Sequence, residues 1–412
     1  MAEQSFQDLK LDSWILKQCT AIGRAELYFG AYRKYFISYF FYNSLPLASK
    51  DILFPGVKHP TSIQASCIPK ILAGKDCIGA AKTGSGKTLA FALPIIQKLS
   101  EDPYGIFGLI LTPTRELAFQ IADQFAVIGK PINLKICVIV GGMDMVEQGI
   151  QLSKRPHIVV ATPGRLADHL ESCNTFSLSK IQFLVLDEAD RLLSGQFDDH
   201  IKTIFKVLPR QRQNLFFSAT ITDALEKLKV TKTEVFMYEA PSQTDAATVE
   251  ELDQQYVLCP KDVKDAYLVQ AIREFRGTDA KGNIIIFTNT CRTCHVLSMT
   301  LNEVGFENVA LHGMIPQIQR LTALARFKSN TVRILIATDV ASRGLDIPTV
   351  ALVINHTLPK LPKEYIHRVG RTARAGRCGK AISLVTPYDI TLLQKIEEHI
   401  HVSLKEMQVD GR

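Results

Sequence analysis

This sequence lacks long apolar runs and lacks the cysteine spacings typical of disulfide-bonded proteins. Residues 28–42 contain nine aromatic side chains, but the run is short and includes Arg33 and Lys34, so we expect no membrane span. The nine cysteines are scattered, and no secretory leader opens the chain, which predicts a reducing compartment, either cytosol or nucleus. These absences argue against a membrane-embedded protein and against a small disulfide-stapled scaffold.

One cysteine pair matches the spacing of c-type haem attachment. Cys291 and Cys294 precede His295 in this pattern. The pair follows an apolar run and is typical of the first turn of a helix, and no axial ligand or export signal accompanies it. We therefore interpret both cysteines as core or helix-start residues.

Length and charge set broad limits on the protein. A chain of 412 residues is too long for one ordinary core, so we expect at least two domains. The 48 Lys and Arg exceed the 41 Asp and Glu, giving a formal net charge of +7. This balance allows a polyanionic partner, but it is equally typical of a solvated surface.

Short apolar runs alternate with helical stretches, a pattern typical of parallel sheets with crossover helices. The runs are apolar throughout, as expected for strands buried on both faces. The cycle restarts after residue 250, and the polar, proline-bearing stretch 239–248 indicates a linker between two α/β lobes. The predicted strands are 76–79, 108–111, 135–140, 157–161, 183–186, 214–217, 254–258, 283–287, 309–311, 333–337, 350–355 and 380–385.

The segment 20–54 does not follow this alternation. Several of its aromatic residues recur at helix-like spacing, namely Tyr28, Tyr32, Tyr35, Phe36, Tyr39 and Tyr42. A partner-binding helix, a helix on a membrane surface and an insertion packed on the first lobe all fit this pattern.

A phosphate-binding loop is the firmest motif. It follows a strand-like run and precedes a helical one, so glycine backbone and a helix N-terminus can approach phosphate oxygens. We expect Lys87 to contact the β- and γ-phosphates and Thr88 to bind Mg²⁺. The general pattern begins with glycine, where this chain has alanine. The predicted nucleotide-binding residues are Ala81, Lys82, Thr83, Gly84, Ser85, Gly86, Lys87 and Thr88.

An acidic cluster follows the predicted strand 183–186. Carboxylates at the carboxyl end of a buried strand lie on the edge where α/β sheets bind ligands. Asp187 is placed to hold Mg²⁺ through waters, and Glu188 to orient or deprotonate the attacking water. A solvated acidic loop is the alternative, which the upstream phosphate loop disfavours.

Together these motifs resemble the DEAD-box family of ATP-dependent RNA helicases, whose phosphate loop also begins with alanine. The resemblance covers about residues 56 to 395 and implies an α/β fold of two tandem RecA-like domains, each a parallel sheet flanked by helices, joined by a short linker. The implied divisions are an N-terminal flank with the aromatic insertion (1–55), an ATP-binding domain (56–238), a linker (239–250), a second helicase domain (251–396) and a C-terminal end (397–412).

The resemblance also assigns residues to RNA and to coupling. Hydroxyls, helix-start N–H groups and arginines suit phosphate oxygens. The implied RNA-binding residues are Pro113, Thr114, Arg115, Gly142, Thr162, Pro163, Gly164, Arg165, Gly313, Thr338 and Arg343. The implied coupling residues are Asp190, Ser218, Thr220, His367 and Arg368, with the hydroxyls of Ser218 and Thr220 near Asp190.

Base and γ-phosphate recognition complete the implied site. The Gln64 amide offers a donor and an acceptor to adenine, and Phe6 is the candidate aromatic near the base. More residues separate Phe6 from Gln64 than in the family, and the excess coincides with the aromatic segment. Asp346 is assigned to the ribose hydroxyls. The implied catalytic residues are Lys87, Asp187, Glu188 and two arginine fingers, Arg371 and Arg374.

The resemblance implies an enzyme that hydrolyses ATP with Mg²⁺ on binding RNA, and that unwinds short duplexes or remodels RNA–protein complexes. Phosphate and ribose contacts imply little sequence preference. We expect a monomer without a membrane partner, and the resemblance leans toward ribosome assembly in the nucleus (nucleolus) with pre-ribosomal protein partners; the cytoplasm is the alternative. A DNA-directed helicase, a non-enzymatic ATP-gated clamp and a copy impaired by its insertion are the competing hypotheses.

Overall fold

The computed structural model describes residues 5–21, 59–82, 84–222, 225–226, 235–240, 252–339, 347, 349–372 and 379–408. The chain divides into two compact units, Met1–Ala240 and Pro241–Arg412. Each unit contains one seven-stranded parallel sheet flanked by helices, which confirms the predicted fold class.

Unit 1 is built on a sheet whose strands are buried almost throughout, because helices cover both faces. Its strands are β1 (Asp76–Ala80), β2 (Gly108–Leu111), β3 (Ile136–Ile139), β4 (Ile158–Ala161), β5 (Phe183–Asp187), β6 (Gln213–Ser218) and β7 (Val235–Glu239). They lie in the order β3-β4-β2-β5-β6-β1-β7. Its helices are α1 (Ser13–Ala21), α2 (Ser62–Leu72), α3 (Lys87–Glu101), α4 (Arg115–Ile128), α5 (Met145–Ser153), α6 (Pro163–Ser172), α7 (Ala189–Leu192) and α8 (Asp198–Val207), with 3-10 turns at Phe6–Leu9 and Lys130–Ile132.

Unit 2 repeats this plan. Its strands are β8 (Leu252–Leu258), β9 (Ile284–Thr288), β10 (Val309–Leu311), β11 (Ile334–Thr338), β12 (Leu352–Asn355), β13 (Gly379–Val385) and β14 (Lys405–Glu406), in the order β10-β11-β9-β12-β13-β8-β14. Its helices are α9 (Lys264–Thr278), α10 (Cys291–Glu303), α11 (Gln317–Lys328), α12 (Pro362–Val369) and α13 (Ile390–Ile400), with 3-10 turns at Lys261–Val263 and Pro387–Asp389.

The sheets extend further than the sequence pattern indicates. All twelve predicted strands are present, but β7 and β14 were not predicted, and Glu239 ends a strand rather than beginning the linker. The edge strand β7 is only half-buried, and β14 is a short exposed strand. Ile400 and Leu404 are buried in the core of unit 2, so that core extends past residue 396.

The cysteines of the haem-like pattern have structural positions. Helix α10 begins at Cys291, and Cys294 is fully buried, with its thiol donating to Ile336 O at 3.3 Å. Burial raises the pKa of the Cys294 thiol to about 11. The eight cysteines in the described part of the chain are all free thiols. Among the described helices, none has the length and apolarity needed to cross a membrane.

Candidate functional site

The predicted site residues of unit 1 follow the ends of six strands. The loop after β1 starts at Ala81, whereas Asp187 and Ser218 end β5 and β6. The predicted RNA-binding segments follow β2, β3 and β4. Because these strands are all parallel neighbours in one sheet, their carboxyl ends share one edge, which is where open α/β sheets bind ligands.

The phosphate loop is held in a left-handed turn at both of its glycines. Gly84 and Gly86 have φ angles of 83° and 89°, which residues with a side chain rarely adopt. The backbone N–H of Ala81 donates to Ser218 O at 3.1 Å, tying the start of the loop to the end of β6. Gly86 then caps α3, so the loop leads directly into a helix N-terminus suited to phosphate.

Gln64 fastens helix α2 to this loop. Its buried side-chain amide donates to Gly86 O at 3.0 Å, and its carbonyl oxygen accepts the Thr61 N–H at 3.0 Å. A Cβ atom on residue 86 would collide with Gln64 Nε2. Gln64 carries a second amide hydrogen and a second lone pair besides those used in these two bonds.

The Lys87 ammonium lies inside the loop beside the acidic cluster. It donates to Ala81 O and, at 3.2 Å, to Lys82 O. Burial lowers the pKa of Lys87, and the nearby carboxylates of Asp187, Glu188 and Asp190 oppose that shift. The phosphate loop and the end of β5 therefore form one charged site.

The two carboxylates that the sequence predicts to be catalytic, Asp187 and Glu188, differ in environment. Burial raises the pKa of Asp187 to about 7, against the opposing effect of the Lys87 cation. Glu188 has a left-handed φ of 52°, a conformation that costs a residue with a side chain about 1–2 kcal/mol. Its carboxylate accepts from Arg191 at 3.0 Å. The strained turn projects Glu188 just beyond the strand end that holds Asp187.

The residues of the loop and of the acidic cluster fit Mg²⁺ with a triphosphate. Ser85 Oγ and Asp190 Oδ1 are buried without a hydrogen-bond partner among the described residues. Asp187 and the Thr88 hydroxyl are hard oxygen ligands, and Mg²⁺ is usually held by one or two carboxylates, phosphates and waters. The described residues form no group of three or more His, Cys, Asp or Glu side chains able to hold a metal. A dedicated protein cage is not needed for this ion.

The predicted coupling residues Ser218 and Thr220 bond to each other. The Ser218 hydroxyl donates to Thr220 O at 2.7 Å and accepts the Thr220 N–H at 3.3 Å. Asp190 Oδ1 receives no hydrogen bond in the described structure, although α7 packs against β6. The Ser218 hydroxyl therefore closes its own turn, and its predicted proximity to Asp190 stays a prediction.

Three predicted RNA-binding segments meet at the other half of the same edge. Thr114 and Thr162 precede the first residues of α4 and α6, and Pro163 begins α6, so both helices direct free N–H groups to this surface. The Arg115 guanidinium packs against Gly141, where a Cβ atom would lie 3.1 Å from it. The Thr162 N–H donates to Ile139 O at 3.0 Å. These contacts assemble a polar surface suited to phosphate oxygens.

In unit 2 a buried arginine organises the ends of several strands. Arg368 is 1% exposed and donates to both carboxylate oxygens of Asp339 at 2.6 Å. It also donates to Asn289 Oδ1 at 2.7 Å and to Thr357 O at 2.6 Å. Asp339 follows Thr338, the predicted RNA-binding residue at the end of β11. The sequence did not predict that Asp339 and Asn289 contact Arg368, because neither lies near Arg368 along the chain.

Of the remaining predicted residues, some are buried, some are exposed and some lie outside the described part of the chain. Arg371 is buried, whereas His367 and Gly313 are exposed. Phe6 is buried on a 3-10 turn that contacts α2, the helix of Gln64, and Gln97 of α3 holds the adjacent backbone at Lys10 O and Asp12 N, at 3.1 Å and 3.2 Å. The aromatic segment 28–42 lies outside the described residues, as do Thr83, Arg343, Asp346 and Arg374.

Comparison with known proteins agrees with this geometry. A family model described as DEAD/DEAH box helicase matches residues 61–228, and one described as helicase conserved C-terminal domain matches residues 264–376. The chain is 56% identical to a mouse protein named probable ATP-dependent RNA helicase DDX49, over 98% of this chain and 78% of that protein. It is 50% identical to the Candida albicans ATP-dependent RNA helicase DBP8, over 85% of this chain and 81% of that protein.

Solved structures show the same similarity. Yeast Dbp5 bound to RNA and ADP BeF3 is 28% identical, with a TM-score of 0.77 and coverage of 99% of this chain and 96% of that one. Mss116p bound to single-stranded RNA and AMP-PNP is 30% identical, with a TM-score of 0.78 and coverage of 100% and 80%.

Proposed function

The chain belongs to the DEAD-box family of ATP-dependent RNA helicases, and from this premise we propose which of its residues perform each part of the reaction. The nucleotide is bound by residues 81–88, with Gln64 reading the adenine and Phe6 close to it. The first domain corresponds to residues 56–238 and the second to residues 251–396, joined by the linker 239–250, with part of the second core continuing into the C-terminal end.

Lys87, Asp187 and Glu188 carry the hydrolysis step in this proposal. Lys87 neutralises charge on the β- and γ-phosphates, and Asp187 and Thr88 would hold Mg²⁺, which would supply a second counter-charge there. Glu188 orients the attacking water and accepts its proton. Arg371 and Arg374 are proposed to stabilise charge that develops on the γ-phosphate, and Asp346 to bind the ribose.

RNA is the proposed polymer, bound at the edge formed by β2, β3 and β4. Arg115, Gly142 and Thr162–Arg165 offer guanidinium, backbone N–H and hydroxyl donors to phosphates, which gives little sequence preference. Contacts to the ribose 2′-hydroxyl would favour RNA over DNA. In unit 2, Gly313, Thr338 and Arg343 are the proposed counterparts.

Coupling between hydrolysis and RNA is assigned to Asp190, Ser218, Thr220, His367 and Arg368. The buried Oδ1 of Asp190 supports this role, because it receives no hydrogen bond from the described residues and can accept one.

The proposed cellular setting is ribosome assembly in the nucleus, with a monomer acting on pre-ribosomal RNA–protein complexes. Co-purification of tagged chain with pre-ribosomal RNA tests that setting, and exclusively cytoplasmic recovery would contradict it.

The observation that carries the proposal is the shared edge of one sheet, with Lys87 and Asp187 at one half and Arg115 and Thr162 at the other. The test is steady-state ATP hydrolysis with increasing RNA, compared with DNA of the same sequence. We expect RNA to stimulate turnover and DNA to do so weakly. Stronger stimulation by DNA would favour a DNA-directed helicase, and a single turnover with stable RNA retention would favour an ATP-gated clamp.

A further inference from the structure

A buried chain of polar groups lies behind the glycine turn that follows β3. Gln148 of α5 and His169 of α6 are 4% and 0% exposed. Gln148 Nε2 donates to Val140 O at 2.9 Å, and His169 Nε2 lies 3.3 Å from Gln148 Oε1. Val140 directly precedes Gly141 and Gly142. The chain therefore joins two helices to the backbone that enters this turn.

Chemistry fixes the direction of these hydrogen bonds. A backbone carbonyl only accepts, so Gln148 must turn its NH₂ toward Val140 and its carbonyl oxygen toward His169. His169 must then carry its proton on Nε2, and its Nδ1 is a buried acceptor without a hydrogen-bond partner among the described residues. Burial, with a further contribution from the Arg165 cation, lowers the pKa of His169 and favours this neutral ring.

Few side chains of helix α5 are buried against the rest of unit 1. Its buried side chains are Gln148 and Leu152, one turn apart, whereas Val146 and Ile150 are 73% and 52% exposed. Asp144 caps the helix by accepting the Val146 N–H at 2.7 Å. Of the two buried side chains, Gln148 lies nearer the glycine turn, and it is the one that bonds the turn's backbone.

The partners of Gln148 adjoin two of the proposed RNA-binding segments. Val140 leads into Gly142, and His169 lies one helical turn after Arg165 on α6, whose first residues are Pro163 and Gly164. Neither Gln148 nor His169 is exposed enough to contact a nucleic acid itself. Any effect of these two residues on RNA must therefore act through the segments that they hold.

We propose that Gln148 and His169 are positioning residues for RNA binding, which hold the Gly141–Gly142 turn and the start of α6 at a fixed separation. Both segments can then contact one RNA strand without rearrangement. This inference rests on the proposed function, since it assumes that the edge binds RNA.

The test measures the RNA concentration that gives half-maximal ATP hydrolysis. Gln148→Met keeps the length of the side chain but removes both hydrogen bonds. We expect it to raise half-saturating RNA about three- to tenfold, the size typical of one buried hydrogen bond. The KM for ATP and the turnover at saturating RNA should be unchanged. Ile150→Met introduces the same residue on the same helix at a position that is 52% exposed, so it is the matched control and should leave half-saturating RNA unaltered.

A double-mutant cycle separates positioning from general stability. His169→Phe keeps a ring but removes the Nε2 donor, and its effect combined with Gln148→Met should be smaller than the two single effects added. Thermal unfolding of each variant is recorded in parallel. A lower melting temperature with unchanged half-saturating RNA would overturn the positioning role, and so would strictly additive effects.

The proposed function can be judged from the same data. If wild-type turnover does not respond to RNA, the proposed function itself fails. If wild-type turnover responds and Gln148→Met responds identically, the proposed function stands and only the positioning role is overturned.

Discussion

The side-chain amide of Gln64 donates to the backbone carbonyl of Gly86 at 3.0 Å, across 22 residues of chain. This single contact joins the helix that carries Gln64, the proposed adenine-reading residue, to the last glycine of the phosphate loop. It makes base recognition and phosphate binding parts of one structural unit, because a shift of either element would break a buried hydrogen bond.

Replacing Gly86 with alanine should therefore damage nucleotide binding through Gln64. We expect Gly86→Ala to raise the KM for ATP by more than about tenfold, since the new Cβ collides with the Gln64 amide and the φ of 89° is strained. Gly74→Ala is the matched control, because Gly74 has a φ of 82° with nothing within 4 Å of its Cβ position. It should lower stability by about 1–2 kcal/mol and leave the KM unchanged. Equal KM effects in the two variants would contradict the contact-based account.

Glu188→Gln should separate binding from hydrolysis. The amide keeps the shape of the side chain but cannot accept a proton, so turnover should fall by about 100-fold or more while ATP and RNA binding persist. Single-turnover hydrolysis and equilibrium binding are the measurements. Arg191→Gln removes the ion pair with Glu188 but keeps the carboxylate, so it should lose much less turnover. Undiminished turnover in Glu188→Gln would remove Glu188 from the reaction.

The buried carboxyl of Asp187 should make the nucleotide-free protein less stable as pH rises. Its pKa is raised from 3.8 to about 7, so the folded state binds more protons than the unfolded state between these values, and the free energy of unfolding falls across that window. Asp187→Asn should stabilise the protein at pH 8 by up to about 4 kcal/mol, at about 1.4 kcal/mol per pKa unit. This advantage should shrink as the pH is lowered toward 4.

The measurement is denaturant unfolding in the presence of EDTA at several pH values. Asp168→Asn changes an exposed carboxylate on α6 and serves as the control, which should give little effect at any pH. If the stabilisation by Asp187→Asn grew toward acidic pH, the predicted direction of the pH dependence would be wrong.

Arg368→Lys should destabilise the chain although the charge is kept. Lysine cannot reproduce the paired donation to Asp339 or the bonds to Asn289 and Thr357, and breaking a buried ion pair costs about 3 kcal/mol. Arg326→Lys is the matched control, because the Arg326–Glu307 pair is exposed and should contribute less than about 1 kcal/mol. Denaturant unfolding of both variants is the measurement, and similar losses would contradict the buried-network account.

The sheets were predictable because doubly covered parallel strands are short, wholly apolar runs. That pattern locates β2, β4 and β5, which are buried throughout. It does not reveal β7, where half-buried positions carry no clear periodicity, or β14, which is two exposed residues. The predicted ends of the strands also indicated the edge of the sheet at which Asp187 and Ser218 lie.

Side-chain partnerships across the fold were not predictable in the same way. Gln148 and His169 lie outside the motifs, and their bond depends on how the fold brings α5 and α6 together. Likewise, Asp339 and Asn289 gain their role only when β9 and β11 become neighbours, which brings both to Arg368. Spacing along the chain carries no signal for such contacts.

The most direct test of the account is ATP-driven displacement of one strand from a short RNA duplex by this chain. The account predicts displacement with ATP and Mg²⁺, little displacement with GTP, and none with the Glu188→Gln variant under multiple turnover. Wild-type chain that binds RNA and ATP but never releases a strand, or that separates the matching DNA duplex instead, would contradict it.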